Sequence, residues 1–236
     1  MSDNKRRLHR NLYKNQLVFA DHITDLEYCL YEEKDYAILM IPADPRWNGN
    51  LNTPVISKLF EYFDKSHIDT MRFTFTKYQI FNNNYDKYIT QAAICLEELL
   101  KTIGGRKKIW LIGFSFGSLV ALNLSLRRPD IQGIIAISPP ILNYDFLSWF
   151  IPFKTNILIA YGENDHLLPG EIINHYTKYL INSKMNVETI AYKTGHDFAG
   201  AETALARDCI EFINNNLYNE EEELGEIEEE DDDDDI

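Results

Sequence analysis

The segment 109–128 constrains this sequence more than any other stretch. Four apolar residues, 109–112, predict a buried strand, and the motif GFSFG follows at positions 113–117. Closely spaced leucines then predict a buried helix that ends before Pro129. A Gly-x-Ser-x-Gly motif between a strand and a helix is typical of a tight turn that raises a serine hydroxyl above the sheet edge. We therefore expect Ser115 to be a nucleophile. The alternative is a glycine-rich turn that has no catalytic role.

Apolar runs of strand length alternate with helical patterns along the rest of the chain. Strands are predicted at 16–20, 24–30, 36–41, 71–76, 133–138, 156–161 and 187–192, the first two as a hairpin. Helices are predicted at 55–66, 82–102, 168–183 and 199–217. This alternation favours an α/β fold with a mostly parallel central sheet and helices on both faces.

Charge divides the chain into three predicted regions. The net charge of −14 is misleading, because residues 220–236 contain 13 of the 37 acidic residues and no Lys or Arg. Without them, 24 acidic residues nearly balance 23 basic ones, so no charge pattern indicates nucleic-acid binding. We expect a flexible segment at 1–15, one domain at 16–219 and a disordered acidic tail at 220–236. The tail either adds solubility or binds a basic partner.

Composition also bears on location and cofactors. Cys29, Cys95 and Cys209 are far apart and fit neither a disulfide framework nor a metal motif, which favours a reducing, cytoplasmic setting. Cys29 and Cys95 lie in strand-like and helix-like patterns, so we expect them to be core thiols. We find no apolar run of signal-peptide or membrane-spanning type, and we expect no membrane partner. The sequence has neither a nucleotide-binding loop nor a metal-binding motif, so no cofactor and no metal are predicted.

A serine hydroxyl is a weak nucleophile that needs a neighbouring base, and the base needs an orienting carboxylate. Where a serine lies in this kind of turn, the acid and then the histidine follow it in the chain. Functional groups of parallel sheets gather where strands end. Asp165 follows the predicted strand 156–161, and His196 follows the strand 187–192. Weaker alternatives are Glu163, His166, His175 and Asp197.

An oxyanion formed at the reacting carbonyl needs two peptide N–H donors. Phe116 should supply one, because it follows the nucleophile at the start of a helix. The second should come from the loop after the strand 36–41. Ala43 and Asp44 are both candidates there, since Pro42 and Pro45 have no N–H.

These segments together resemble the α/β-hydrolase superfamily. The similarity extends over about residues 15–217, and its strongest part is LIGFSFGSLVALNLSLRRPDIQGIIAISPP at 111–140. It is closest to small, lidless, mostly bacterial hydrolases that are distantly similar to dienelactone hydrolases and short-chain carboxylesterases. The resemblance implies an α/β-hydrolase fold without a large lid domain. It also implies a triad of Ser115, Asp165 and His196 that cleaves a small ester or thioester through an acyl-enzyme.

Two segments next to the expected site depart from the family pattern. Relatives usually leave the third strand with a His-Pro-His-Pro type segment, where this chain has IPADP at 41–45. They also follow the next strand with an arginine and a glycine-rich loop, where this chain has TKY at 76–78. These departures leave open an alternative, a non-catalytic α/β-hydrolase fold used for binding. The connection 139–155 is too short for a large lid, and its aromatic residues either line the site or simply pack, namely Tyr144, Phe146, Trp149 and Phe150.

Overall fold

The computed structural model describes residues 12–19, 22–78, 85–105, 107–141, 155–182 and 185–229. Within these ranges the strands are β1 (Leu12–Phe19), β2 (His22–Cys29), β3 (Tyr36–Ile41), β4 (Asp69–Phe73), β5 (Lys108–Phe114), β6 (Ile131–Ile137), β7 (Asn156–Gly162) and β8 (Val187–Tyr192). The α-helices of the same ranges are α1 (Pro54–Lys65), α2 (Asp86–Thr102), α3 (Phe116–Ser125), α4 (Gly170–Asn182) and α5 (Glu202–Glu229). A short 3₁₀ helix, Pro45–Trp47, lies between β3 and α1.

The eight strands of the described chain form one sheet in the order β1-β2-β4-β3-β5-β6-β7-β8. The first two strands pair as the predicted antiparallel hairpin, and β2 also pairs antiparallel with β4. All pairs from β4 to β8 are parallel, so the carboxyl ends of these strands meet along one edge. The prediction of a mostly parallel sheet is therefore confirmed.

Two apolar layers cover the two faces of the sheet. Successive side chains of the fully buried strand β3 alternate between them, as the period of a strand requires. Ala37, Leu39 and Ile41 face a core built with α2, α3 and α4. The intervening residues Tyr36, Ile38 and Met40 face a core built with α1 and α5. Helices on both faces explain why the central strands read as continuous apolar runs rather than as alternating ones.

The ends of the chain differ from the sequence predictions. Strand β1 begins at Leu12, inside the segment 1–15 that was expected to be flexible. Helix α5 begins at Glu202 rather than at residue 199, and it continues to Glu229 rather than ending at 217. Its backbone thus enters the acidic run 220–236, because glutamate has a good helix propensity and an established helix extends easily.

Some predicted features fall outside the described ranges, namely residues 1–11, residues 230–236 and the four aromatic residues of the connection 139–155. Within the part of the chain that the structure describes, no helix combines the length and apolar composition needed to cross a bilayer.

Candidate active site

Ser115 is the single residue between the end of β5 and the start of α3. Its backbone lies at φ 51° and ψ −118°, in a region that side-chain-bearing residues rarely adopt. The Ser115 peptide N–H donates to the carbonyl oxygen of Ile137 at the end of β6, 2.8 Å away. This bond and the flanking elements hold the strained turn, so the serine stands at the carboxyl edge of the sheet.

The two glycines of the motif let three backbone segments approach one another. A Cβ on Gly113 would lie 2.5 Å from the peptide nitrogen of Ser118 in α3. A Cβ on Gly117 would lie 2.6 Å from the carbonyl oxygen of Pro42, and closer still to that of Ile41. Real Cβ atoms do not come this close to backbone atoms. The first turn of α3 therefore rests directly on the chain leaving β3.

The structure brings the three predicted side chains together. The Nε2 of His196 lies 3.1 Å from the Oγ of Ser115, within hydrogen-bond reach, and its Nδ1 lies 2.8 Å from the Oδ2 of Asp165. The loops carrying the acid and the histidine are packed tightly, since a Cβ on Gly162 would lie 2.6 Å from the carbonyl oxygen of Gly195. The imidazole also packs beside the Phe114 ring, with ring centroids 5.4 Å apart.

The carboxylate of Asp165 is buried and fully bonded. Its side chain is 0% exposed, and such burial by itself raises a carboxyl pKa. The hydrogen bond and charge interaction with His196, with hydrogen bonds from the Leu167 peptide N–H at 2.9 Å and the Ser138 hydroxyl at 2.9 Å, outweigh that effect. The pKa of Asp165 therefore lies below its ordinary value, so the group is ionised at neutral pH and can face an imidazole N–H.

Sequence reasoning missed the contact between Ser138 and Asp165. Ser138 follows the last residue of β6, so it stands at a strand's carboxyl end, as Asp165 and His196 do. That position was the available signal. A serine gives a weaker sequence signal than an acid or a histidine, since most serines in such loops only cap or turn the backbone.

The sequence matches the model of a known protein family. The family model described as phospholipase/carboxylesterase matches residues 61–216, which is more than half of the chain. The chain belongs to the phospholipase/carboxylesterase family. This family match and the observed fold confirm the predicted α/β-hydrolase superfamily.

Individual relatives extend this comparison. A protein of unknown function from Agrobacterium tumefaciens is 25% identical with a TM-score of 0.76, over 88% of this chain and 98% of that one. An α/β serine hydrolase without a lid from Xanthomonas campestris is 18% identical with a TM-score of 0.72, over 87% of this chain and 94% of that one. These likenesses confirm the α/β-hydrolase fold. The uncharacterized protein RP471 from Rickettsia prowazekii is 27% identical, over 66% of this chain and 67% of its own length.

In the present chain, the candidate oxyanion residues lie beside Ser115. Phe116 begins α3, and its buried ring packs edge-on against those of Phe75 and Tyr88. Ala43 and Asp44 line the same pocket as Ser115 and Phe116. The carbonyl oxygen of Asp44 accepts from the Trp47 and Gly49 peptide groups, at 3.1 and 3.0 Å, and so fixes the loop. The choice between Ala43 and Asp44 as second donor stays a prediction.

The carboxylate of Asp44 bonds within its own loop. It accepts from the peptide N–H of Arg46 at 2.8 Å, and it forms a bidentate ion pair with the guanidinium of the same residue. Its charge is therefore compensated locally. In this way the IPADP segment, which departs from the family pattern, forms an ordered wall of the site.

The pocket above Ser115 has a volume of about 820 Å³. Phe114, Phe116 and Pro140 give it an apolar floor, and Trp47 and Leu167 stand at its rim. Trp47 is 85% exposed, which is unusual for so large an apolar side chain. Asparagines of the 48–52 loop add amide groups to one wall.

The other candidates from the sequence lie outside this cluster. Glu163, His166, His175 and Asp197 are exposed. Cys29, Cys95 and Cys209 are all buried, as expected of core thiols at Cys29 and Cys95. Among the residues that the structure describes, no three His, Cys, Asp or Glu side chains come together in a way that could hold a metal ion.

Proposed function

We propose that this protein is a serine hydrolase that cleaves a small ester or thioester through an acyl-enzyme. The observation that carries the proposal is the chain of two hydrogen bonds from Ser115 through His196 to Asp165, at the floor of an open pocket. Each separation suits proton transfer or orientation of the base. The family supports hydrolysis as the reaction class.

In the first half of the reaction, the Oγ of Ser115 attacks the carbonyl carbon of the substrate while the Nε2 of His196 takes the hydroxyl proton. Asp165 orients the imidazole and stabilises its charge. The Phe116 N–H, together with that of Ala43 or Asp44, holds the oxyanion. The imidazolium then gives its proton to the leaving alcohol or thiol, and the acyl group stays on the serine oxygen.

In the second half, a water molecule loses a proton to His196 and attacks the acyl carbon. The carbon–oxygen bond to Ser115 breaks, and the serine takes back a proton from the imidazolium. The product is a free carboxylic acid. Both halves use the same donors and the same base, so one loop geometry serves the whole cycle.

The pocket supports a compact, largely apolar acyl or alcohol group. Its 820 Å³ holds more than an acetyl ester, and the exposed ring of Trp47 adds apolar surface at the rim. A panel of aryl esters with acyl chains of two to twelve carbons would find the preferred length. We expect kcat/KM to rise with chain length and then to fall once the chain outgrows the pocket.

The deciding test compares labelling by a fluorophosphonate probe in wild type and in Ser115→Ala. Wild type should be labelled and should hydrolyse the esters, and the variant should do neither. Ser125→Ala is the matched control, because Ser125 is a buried serine at the end of α3 whose hydroxyl donates to the Leu122 carbonyl oxygen. It should keep both properties. Labelling that persists in Ser115→Ala would contradict the proposal.

The competing function is binding without catalysis, which the altered 41–45 segment suggested. Its signature is a folded wild-type protein that neither takes the probe nor hydrolyses any ester of the panel. The separation of 3.1 Å between Ser115 and His196 supports the enzyme over this alternative.

A further inference from the structure

Ser138 is a buried serine with an unusual backbone. It is 0% exposed and lies at φ 42°, in the left-handed region that favours glycine. Its peptide N–H donates to the Ala160 carbonyl of β7 at 2.8 Å. Ile137, directly before it, accepts the peptide N–H of Ser115. Ser138 thus joins the nucleophile's turn to the strand that leads to Asp165.

The hydroxyl of Ser138 reaches the acid of the triad directly. Its Oγ donates to the Oδ2 of Asp165 at 2.9 Å, and this is the oxygen that faces the Nδ1 of His196 at 2.8 Å. The other oxygen, Oδ1, accepts from the Leu167 peptide N–H. The charge on Oδ2 is therefore divided between two donors, while Oδ1 anchors the group.

We propose that Ser138 is a positioning residue that sets how strongly Asp165 holds the imidazole of His196, and so sets the lower pH limit of the activity. The proposal rests on the hydrolase function proposed above. A carboxylate oxygen that already accepts one hydrogen bond stabilises a second donor's positive charge less. With Ser138 in place, Oδ2 of Asp165 holds the imidazolium form of His196 less strongly than a carboxylate oxygen with no second donor would.

Two substitutions separate the hydroxyl from the backbone. Ser138→Ala removes the hydroxyl but keeps a side chain at positive φ. Ser138→Gly removes the hydroxyl and relaxes the backbone, so it should fold well. Both lack the bond to Asp165, and the Leu167 N–H still holds the carboxylate in each. A loss caused by the backbone alone would appear in only one of them.

The matched control is Ser118→Ala. Ser118 is also 0% exposed and also donates through its hydroxyl, but to the carbonyl oxygens of Gly113 and Ile137, at 2.7 and 3.2 Å. It has no hydrogen bond with Asp165 or His196 among those described. Its loss should lower stability as the loss of a buried hydrogen bond does, without changing the dependence of hydrolysis on pH.

The experiment measures kcat and KM for the best ester from pH 4.5 to 9. In both Ser138 variants the midpoint of the acid limb of kcat/KM should rise by about half a pH unit. KM should stay unchanged, and kcat on the alkaline plateau should change by less than about tenfold. Ser118→Ala should keep the wild-type midpoint. Any other pattern, including a midpoint that stays or falls in both Ser138 variants, overturns the proposal.

A second readout does not depend on hydrolysis. The proton between His196 Nδ1 and Asp165 gives a downfield proton resonance, which is assigned by its loss in His196→Asn. In Ser138→Ala and Ser138→Gly this resonance should move further downfield, because Oδ2 then accepts from one donor. An unmoved resonance overturns the Ser138 proposal. Failure of wild type to hydrolyse or take the probe would instead overturn the hydrolase function.

Discussion

Replacing Gly117 with alanine tests a close backbone approach beside the site. The new Cβ would lie 2.6 Å from the Pro42 carbonyl oxygen, whereas ordinary C···O contacts are about 3.3 Å or longer. The start of α3 and the end of β3 must therefore separate by at least about 0.7 Å. Overpacking of this kind costs about 1–3 kcal/mol. Displacement by nearly 1 Å of the Phe116 donor relative to the predicted second donor, Ala43 or Asp44, should lower kcat/KM about 100-fold.

Urea unfolding and ester hydrolysis measure these two effects, and Gly170→Ala is the control. A Cβ on Gly170 meets nothing nearer than the Tyr161 ring at 3.8 Å, which is an ordinary contact. This substitution at the start of α4 should leave kcat/KM unchanged and stability unchanged or raised by up to about 1 kcal/mol. If Gly117→Ala matches wild type in both measurements, the argument from close approach is wrong.

Three further perturbations have expected outcomes. Asp165→Asn should lower kcat at neutral pH by about 10⁴-fold with little change in KM, and a loss below tenfold would contradict the orienting role. Because the pKa of Asp165 is lowered in the folded protein, its carboxylate stabilises the fold above about pH 4, and this stabilisation is lost as pH falls further. Urea unfolding across pH should show that the asparagine variant lacks this loss. Arg72→Met removes the guanidinium partner of the largely buried Glu27 carboxylate, which keeps its ion pair with the Lys14 ammonium, so stability should fall by about 2 kcal/mol. The exposed Arg207→Met should change it by less than about 1 kcal/mol, and equal effects would refute this difference. Deleting 220–236 should leave the ester rate and melting temperature nearly unchanged. Acidic side chains at a helix C-terminus interact unfavourably with the helix dipole, so this segment adds little stability that its deletion could remove. A fall of several degrees would show that the segment is docked.

Local patterns were enough to predict most of the architecture. The bounds of β3 and β8 agree with the predicted strands: β3 is a continuous apolar run that ends before Pro42, and β8 is the mixed segment VETIAY that ends shortly before Gly195. The positions of Asp165 and His196 followed from one rule, since the carboxyl ends of parallel strands share an edge. The end of α5 was less predictable, because a charged run is compatible with both a helix and an extended chain.

The tertiary structure alone decided which residues far apart in the chain come into contact. The approach of Gly117 to Pro42 and the bond from Ser138 to Asp165 depend on how neighbouring strands are aligned and how the turns leave them. Sequence periodicity reports which side of an element is buried, but it contains no distances between elements. The sequence by itself therefore predicted the turn that carries Ser115 and the order in which the proposed acid and base follow it. Only the packed sheet fixed the separation of these groups, and only it showed that a further serine hydroxyl shares the oxygen of Asp165 that faces His196.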